Sequence, residues 1–541
     1  MKRRSFIKSA ASATAVAGAG VFSILKYPRG ASAAGWGAWP MDDKAKAAAF
    51  LPTELQPEGV LELHVNGGMS CFDTFYTIPE FGQDDFRFMH IFDEASPASE
   101  GRQAIDTLQG RWDSCQTGYA EMTQAFGATD GDGNELHLGP WTWPFWSRPD
   151  VISRMRIVVT AHDQVAHEGA NPKSFTGLGL GNPRMAGLGT AIQRYFTENE
   201  DGKGGGGIRP APYSYVLSPA GYAPFNAVAA SSVGAHPGSA RPLVVSVEPD
   251  SELTNLLART AIDNPDAFDD AVAYYRAEYA GRLKSFGHST AARSAERANY
   301  DFSAFARENA PVLTDILSSD LFNSIAAPAQ LCQSNMGVPD NMPAMQARLA
   351  TSLLTREQNA ARYVLWIDAG LQPRPTGGHD VHAASVRYNA TNYSNTFTAL
   401  LDQIADPMNP RDGDENRIDL DRQMVVINTE FGRQPFQQGN GTGTNHHPGG
   451  YVQMFIGGPM SHPSLPNNLQ GPSVYGAISE TDGFATTAVS PAQSRMMVLQ
   501  SLGIYPFSTQ SYNVSDGGYT DEVDAATAIR DEFLGLEGVE A

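Results

Sequence analysis

A chain of 541 residues is long enough for one large α/β domain with insertions, or for two or more compact units. With 41% hydrophobic and 18% charged residues it has the composition of a globular protein rather than a disordered one. A formal charge of −21 and a pI near 4.9 exclude nucleic acid as a partner, because phosphate contacts require clustered Lys and Arg.

The first 34 residues read as a twin-arginine export signal. Arg3 and Arg4 precede Phe6 and Ile7, an Ala/Gly/Val-rich stretch runs from Ala10 to Phe22, and Ala31-Ser32-Ala33-Ala34 offers a small-residue cleavage site. That stretch is shorter and less apolar than the roughly 20 residues of a membrane span. The expectation is a mature chain without a transmembrane segment, periplasmic or extracellular. Cys71, Cys115 and Cys332 form no CxxC pair, which excludes a zinc ribbon and allows at most one disulfide within the chain.

Six runs rich in β-branched residues and bounded by turn formers read as buried strands: 59–68, 154–162, 241–249, 361–370, 422–431 and 451–458. Helical patterns such as 391–405 lie between many of them. The alternation predicts an α/β fold, a mostly parallel sheet with helices on both faces, over residues 35–541. Residues 251–358 have helical periodicity and no strong strand, which predicts a helical insertion whose Tyr and Leu stripes are core. The glycine-rich stretch 198–212 reads as a surface loop.

In open parallel sheets, ligands gather beyond the carboxyl ends of the strands. Asp73 follows the first run, His162, Asp163, His167 and Glu168 the second, His379, Asp380 and His382 the fourth, and Glu430 the fifth, with His446 and His447 a short loop later. Carboxylates and imidazoles with few thiols suit Zn, Mn or Fe. Asp380 and His382 are two apart, so an extended segment points both the same way. His446 is the natural third ligand, and His447 the weaker candidate. The chain has no G-x-S-x-G elbow, no Walker loop and no Rossmann fingerprint opening a βα unit.

These residues lie in an ordered set of motifs from about 59 to 505: NGGMSCFDTF, AHEGANPKSFTG, GGHDVH, NTEFGR, GTNHHPGG and VYGAISETDGF. The set resembles the domain of unknown function 1501 family, exported relatives of the alkaline phosphatase and sulfatase superfamily. The resemblance implies an alkaline-phosphatase-like fold and a metal site. By position, Asp73 is its first carboxylate, Asp380 and His382 its Asp/His pair, and His446 its final ligand. Glu430 stands where an Asp-His dipeptide begins, with Phe431 in the place of that His. Aligned on Pro172, Ala170 occupies the nucleophile position and Ser174 replaces the sulfatase Arg, so a formylglycine sulfatase is not implied. Ser174, His167 and Ser70 remain as candidates for a nucleophile or an oxyanion contact.

Two functions are consistent with this sequence. One is an exported metal-dependent hydrolase of phosphate or sulfate esters, small or polymer-bound, with Asp73, Asp380, His382, Glu430 and His446 as metal ligands and His167 and Ser174 as catalytic candidates. The other is a non-catalytic exported binding or cell-surface protein that retains the fold.

Overall fold

The computed structural model describes residues 36–81, 123–199, 213–219, 225–232, 241–247, 265–285, 342–357, 360–370, 379–380, 382, 385–410, 416–436, 438 and 443–539. The export signal, Cys115, Cys332, nearly all of the 198–212 loop and much of 251–358 lie outside these residues.

One eight-stranded sheet organises the molecule. Its strands are β1 (Gly59–Val65), β2 (Met155–Thr160), β3 (Tyr215–Pro219), β4 (Leu243–Val247), β5 (Tyr363–Asp368), β6 (Gln423–Thr429), β7 (Tyr451–Gly457) and β8 (Ser473–Tyr475), in the spatial order β8-β2-β7-β6-β1-β5-β3-β4. All neighbours pair parallel except β7, which runs antiparallel to both β6 and β2. Each of the six expected runs forms a strand of this sheet; β3 and the short edge strand β8 were not anticipated.

The strands read as continuous apolar runs because both faces of the sheet are covered. Side chains alternate along each strand. Leu61, Leu63, Val65, Val364, Trp366, Val425 and Ile427 enter a core shared with helices at Met342–Thr355 and Ser385–Leu401. Val60, Leu365, Ile367, Met424 and Val426 enter the opposite core, shared with α1 (His167–Thr176), α2 (Leu188–Glu198), α3 (Phe225–Ser232) and α4 (Pro491–Ser501). The same alternation places four polar residues, Glu62 and His64 on β1 and Asn428 and Glu430 at the end of β6, on the α1/α4 face.

Within the segment expected to be a helical insertion, Pro265–Ser285 is a helix on which Tyr274, Tyr275 and Tyr279 are exposed rather than core. Met342–Thr355 is helical and packs on the central sheet. Among the described residues no helix is long and apolar enough to cross a membrane.

Candidate metal centre

The antiparallel direction of β7 brings its amino end to the same sheet edge as the carboxyl ends of β1, β2, β5 and β6. Just before β7, His446 and His447 pair with Arg433 and Gly432 in a two-residue ladder, which returns the loop to Glu430. His167 arrives as the first residue of α1. The sequence of that helix, HEGANPKSFT, carries Gly, Asn and an internal Pro, so tertiary packing rather than propensity holds it. It ends at Gly177, whose φ of 74° closes the last turn with an N–H to the Lys173 carbonyl.

Asp380 is the hub. Its Oδ2 lies 3.3 Å from His167 Nε2, and its Oδ1 lies 3.2 Å from His446 Nε2 and 3.0 Å from His382 Nε2. The Arg433 guanidinium also donates to Oδ1. One ligand atom from each of His167, Asp380 and His446 fits within 4.8 Å of the others, the one such group found among the described residues. This group could bind a metal ion.

The tautomers favour that use. His446 Nδ1 donates to the Val165 carbonyl at 2.8 Å, so a neutral ring turns the lone pair of Nε2 toward Asp380. His382 does likewise, with Nδ1 on Gln438 Oε1 at 2.8 Å. Two acceptors face each other stably only with a proton or a cation between them. His167 has a carboxylate at each nitrogen: Nδ1 is 2.9 Å from Glu430 Oε1, and Nε2 meets Asp380. Burial disfavours its charge, but the hydrogen bonds to Asp380 and Glu430 and their negative potential outweigh this and push it up to about 10. Burial also opposes ionisation of Asp380, yet His167, His446 and Arg433 hold it well below the usual carboxylate range.

Glu430 stands one step behind. It is fully buried, its Oε1 accepts the Gly67 N–H at 2.7 Å as well as His167, and its Oε2 lies 3.4 Å from buried His64. Burial raises its pKa, and the hydrogen bond and positive potential of His167, with His64 close by, reverse the shift and hold it low. The expectation of a ligand at Glu430 is therefore revised. Its Oε1 accepts from both Gly67 and His167, which suits it to orient His167 as a carboxylate behind a metal-bound histidine does. His162 buttresses the same position from the backbone side, accepting the Gln164 N–H at Nδ1 and donating from Nε2 to the Glu430 carbonyl at 2.6 Å.

Of the other expected site residues, His382 touches Asp380 but lies outside the group of three and is 40% exposed. Asp73 sits in a short 3-10 helix, where its Oδ2 accepts from Ser70 Oγ at 2.7 Å; the fold does not bring it into the group. Ser174 is corrected as a nucleophile candidate. It is fully buried, its hydroxyl donates to the Thr429 carbonyl at 3.1 Å, and it accepts from Asn428 Nδ2 at 3.0 Å. His379 packs on Tyr393 and donates to Asp368 at 2.8 Å, and His447 donates to the Gly483 carbonyl at 2.7 Å, so both are structural. Phe431 stacks on His446 with ring centroids 4.2 Å apart.

Two contributors escaped the sequence reading. Arg433 is buried and spreads its N–H groups over the Thr444, Gly67 and His379 carbonyls and Asp380. Its signal was an arginine directly after a buried strand end, where a charge must be paired to be tolerated. Gly67 has φ +115°, and a Cβ there would lie 2.2 Å from the Asp380 amide nitrogen. The paired glycines after β1 were its signal.

The fold and site together define an α/β protein carrying a His/Asp group able to hold a metal ion at the carboxyl edge of its sheet. The chain matches no protein-family model, no curated protein and no solved structure.

Proposed function

We propose that this protein is an exported metal-dependent hydrolase of phosphate or sulfate esters, alkaline-phosphatase-like in fold and akin to the domain of unknown function 1501 family. The observation that carries this reading is the convergence of His167, Asp380 and His446 within 4.8 Å at the sheet edge. Two imidazoles and a carboxylate suit Zn, Mn or Fe. With His167, Asp380 and His446 holding it, a divalent ion would supply Lewis acidity toward an ester oxygen and would lower the pKa of water toward roughly 7. Chemistry of this kind needs no side-chain nucleophile, which agrees with a buried Ser174 and with alanine at position 170. In this reading His167 and His446 present Nε2, Glu430 and the Val165 carbonyl fix their rings, and Arg433 anchors Asp380. His382, in contact with Asp380 and the more exposed of the two, would in this reading meet a small or polymer-bound ester. Export by the twin-arginine pathway to the periplasm or beyond belongs to the same proposal and rests on Arg3 and Arg4.

The second reading is a non-catalytic exported binding or cell-surface protein on the same fold. It is favoured by one observation: Phe431 stands where the resemblance expects a second histidine beside Glu430, and its ring stacks on His446. The test is the metal content of protein exported with its own signal, compared with His446→Ala. Stoichiometric Zn, Mn or Fe in the wild type and its loss in the variant support the site, and metal-free wild type refutes it. Metal without turnover of any phosphate monoester, phosphate diester or sulfate ester favours the binding protein.

A further inference from the structure

Helix α1 meets the end of β6 at two places. At its first residue, His167 Nδ1 donates to Glu430. Seven positions on, a spacing that returns to the same helix face about 10 Å along the axis, Ser174 bonds to Thr429 and Asn428, the two residues preceding Glu430. Asn428 is itself fixed on three sides. Its Nδ2 donates to Glu62 Oε1 at 2.7 Å as well as to Ser174, and its Oδ1 accepts the Thr429 N–H at 2.8 Å. Glu62 in turn is held by Arg495 of α4 at 2.6 and 2.7 Å and by the Tyr363 hydroxyl at 2.6 Å. The side chains of Ser174, Asn428, Glu62 and Arg495 are fully buried, and that of Tyr363 is nearly so.

A helix touching its strand at one point is free to slide and roll about that point. Helix α1 also packs on α3 and α4, and within that packing a second polar contact to β6, two turns away, opposes both motions. One residue of slippage moves every side chain of α1 by about 1.5 Å and swings it through a quarter turn or more, enough to separate His167 from Asp380. The internal Pro172 makes this peg more important, because it removes a main-chain hydrogen bond between the two contacts.

We propose that Ser174 and Asn428 are positioning residues that set the register of α1 against β6 and so hold His167 in the metal group. This inference rests on the metal site proposed above. It gives a use to a buried hydroxyl that cannot act as a nucleophile.

The test uses Co(II) added to the metal-stripped full-length protein, read by its visible ligand-field spectrum and by competition with a chromophoric chelator. Ser174→Ala is expected to weaken Co(II) binding about 10- to 100-fold and to change the band positions and intensities, the signature of an altered histidine ligand. Asn428→Ser removes the Asn428 half of this contact and leaves the bond to the Thr429 carbonyl, so it is expected to change affinity and spectrum in the same direction but less, and it carries the comparison if Ser174→Ala does not fold. A purely structural role lowers the melting temperature and leaves spectrum and affinity alone. Folded variants with wild-type spectrum and affinity overturn the positioning role while leaving the metal site intact. Wild type that takes up no Co(II) overturns the site itself, and the positioning role with it.

Discussion

Replacing Glu62 by Gln keeps the shape of the side chain and removes its charge. The carboxylate is fully buried and accepts two contacts from Arg495, one from Tyr363 and one from Asn428. Arg495 is equally buried, and its Nε has no hydrogen-bond partner, so the substitution leaves a guanidinium in the core without its counter-charge. Breaking a buried pair from one side costs about 3–5 kcal/mol. For a protein of this size the unfolding entropy makes that roughly 1 °C per kcal/mol, a fall of about 3–5 °C in melting temperature. Burial raises the pKa of Glu62, but Arg495, Tyr363 and Asn428 outweigh it and bring it below the ordinary 4.5. The stabilisation is therefore present above pH 4.5 and lost as pH falls through the folded value, so wild type and variant converge in acid. Calorimetry and urea titration across that range provide the assay. Adding Arg495→Met is expected to restore most of the loss, because the orphaned charge leaves with it. A single variant within about 0.5 kcal/mol of wild type, or a double variant showing simple additivity, would refute the reasoning.

Glu430→Gln should leave a folded protein whose metal affinity, measured against a chromophoric chelator, falls about 10- to 100-fold; unchanged affinity would remove its orienting role. Gly67→Ala places a methyl 2.2 Å from the Asp380 amide at a positive φ, so we expect lost metal together with a lower melting temperature. Normal metal stoichiometry in that variant would show that the 379–380 segment is not held by Gly67. Arg433→Lys keeps the charge but cannot reach three carbonyls and Asp380 together. A loss of about 2–4 kcal/mol in chemical denaturation is expected, and a neutral effect would contradict the bonding of its guanidinium.

The sheet was legible because strands buried on both faces leave continuous apolar runs, as in YVLWID and QMVVINT. Strand β3, YVLSP, carries a serine and a terminal proline within only five residues and gives a weaker run. The direction of β7 was not legible at all. Nothing in YVQMFIG tells parallel from antiparallel, although that direction brings His446 to the site. The residues beyond the strand ends pointed to Asp380 and His446 as ligands, but to His167 only as a catalytic candidate and to His382 as the ligand in its stead. Glu430 also misled, since a carboxylate at the end of a strand reads the same whether both its oxygens are open, as expected there, or one is already taken by Gly67 and His167. Ser174 misled for a related reason: its position in a helix was readable, but the backbone carbonyl that consumes its hydroxyl was not.

His167 and Glu430 touch across 263 positions of chain, and Asp380 and His446 across 66. No local segment can assemble such a site, and contacts of such wide sequence separation are those that slow folding. A metal ion bound here would discriminate between the finished molecule and every partly folded one. Its stabilisation would act on the global transition, slowing complete unfolding while leaving the fraying of outer helices untouched.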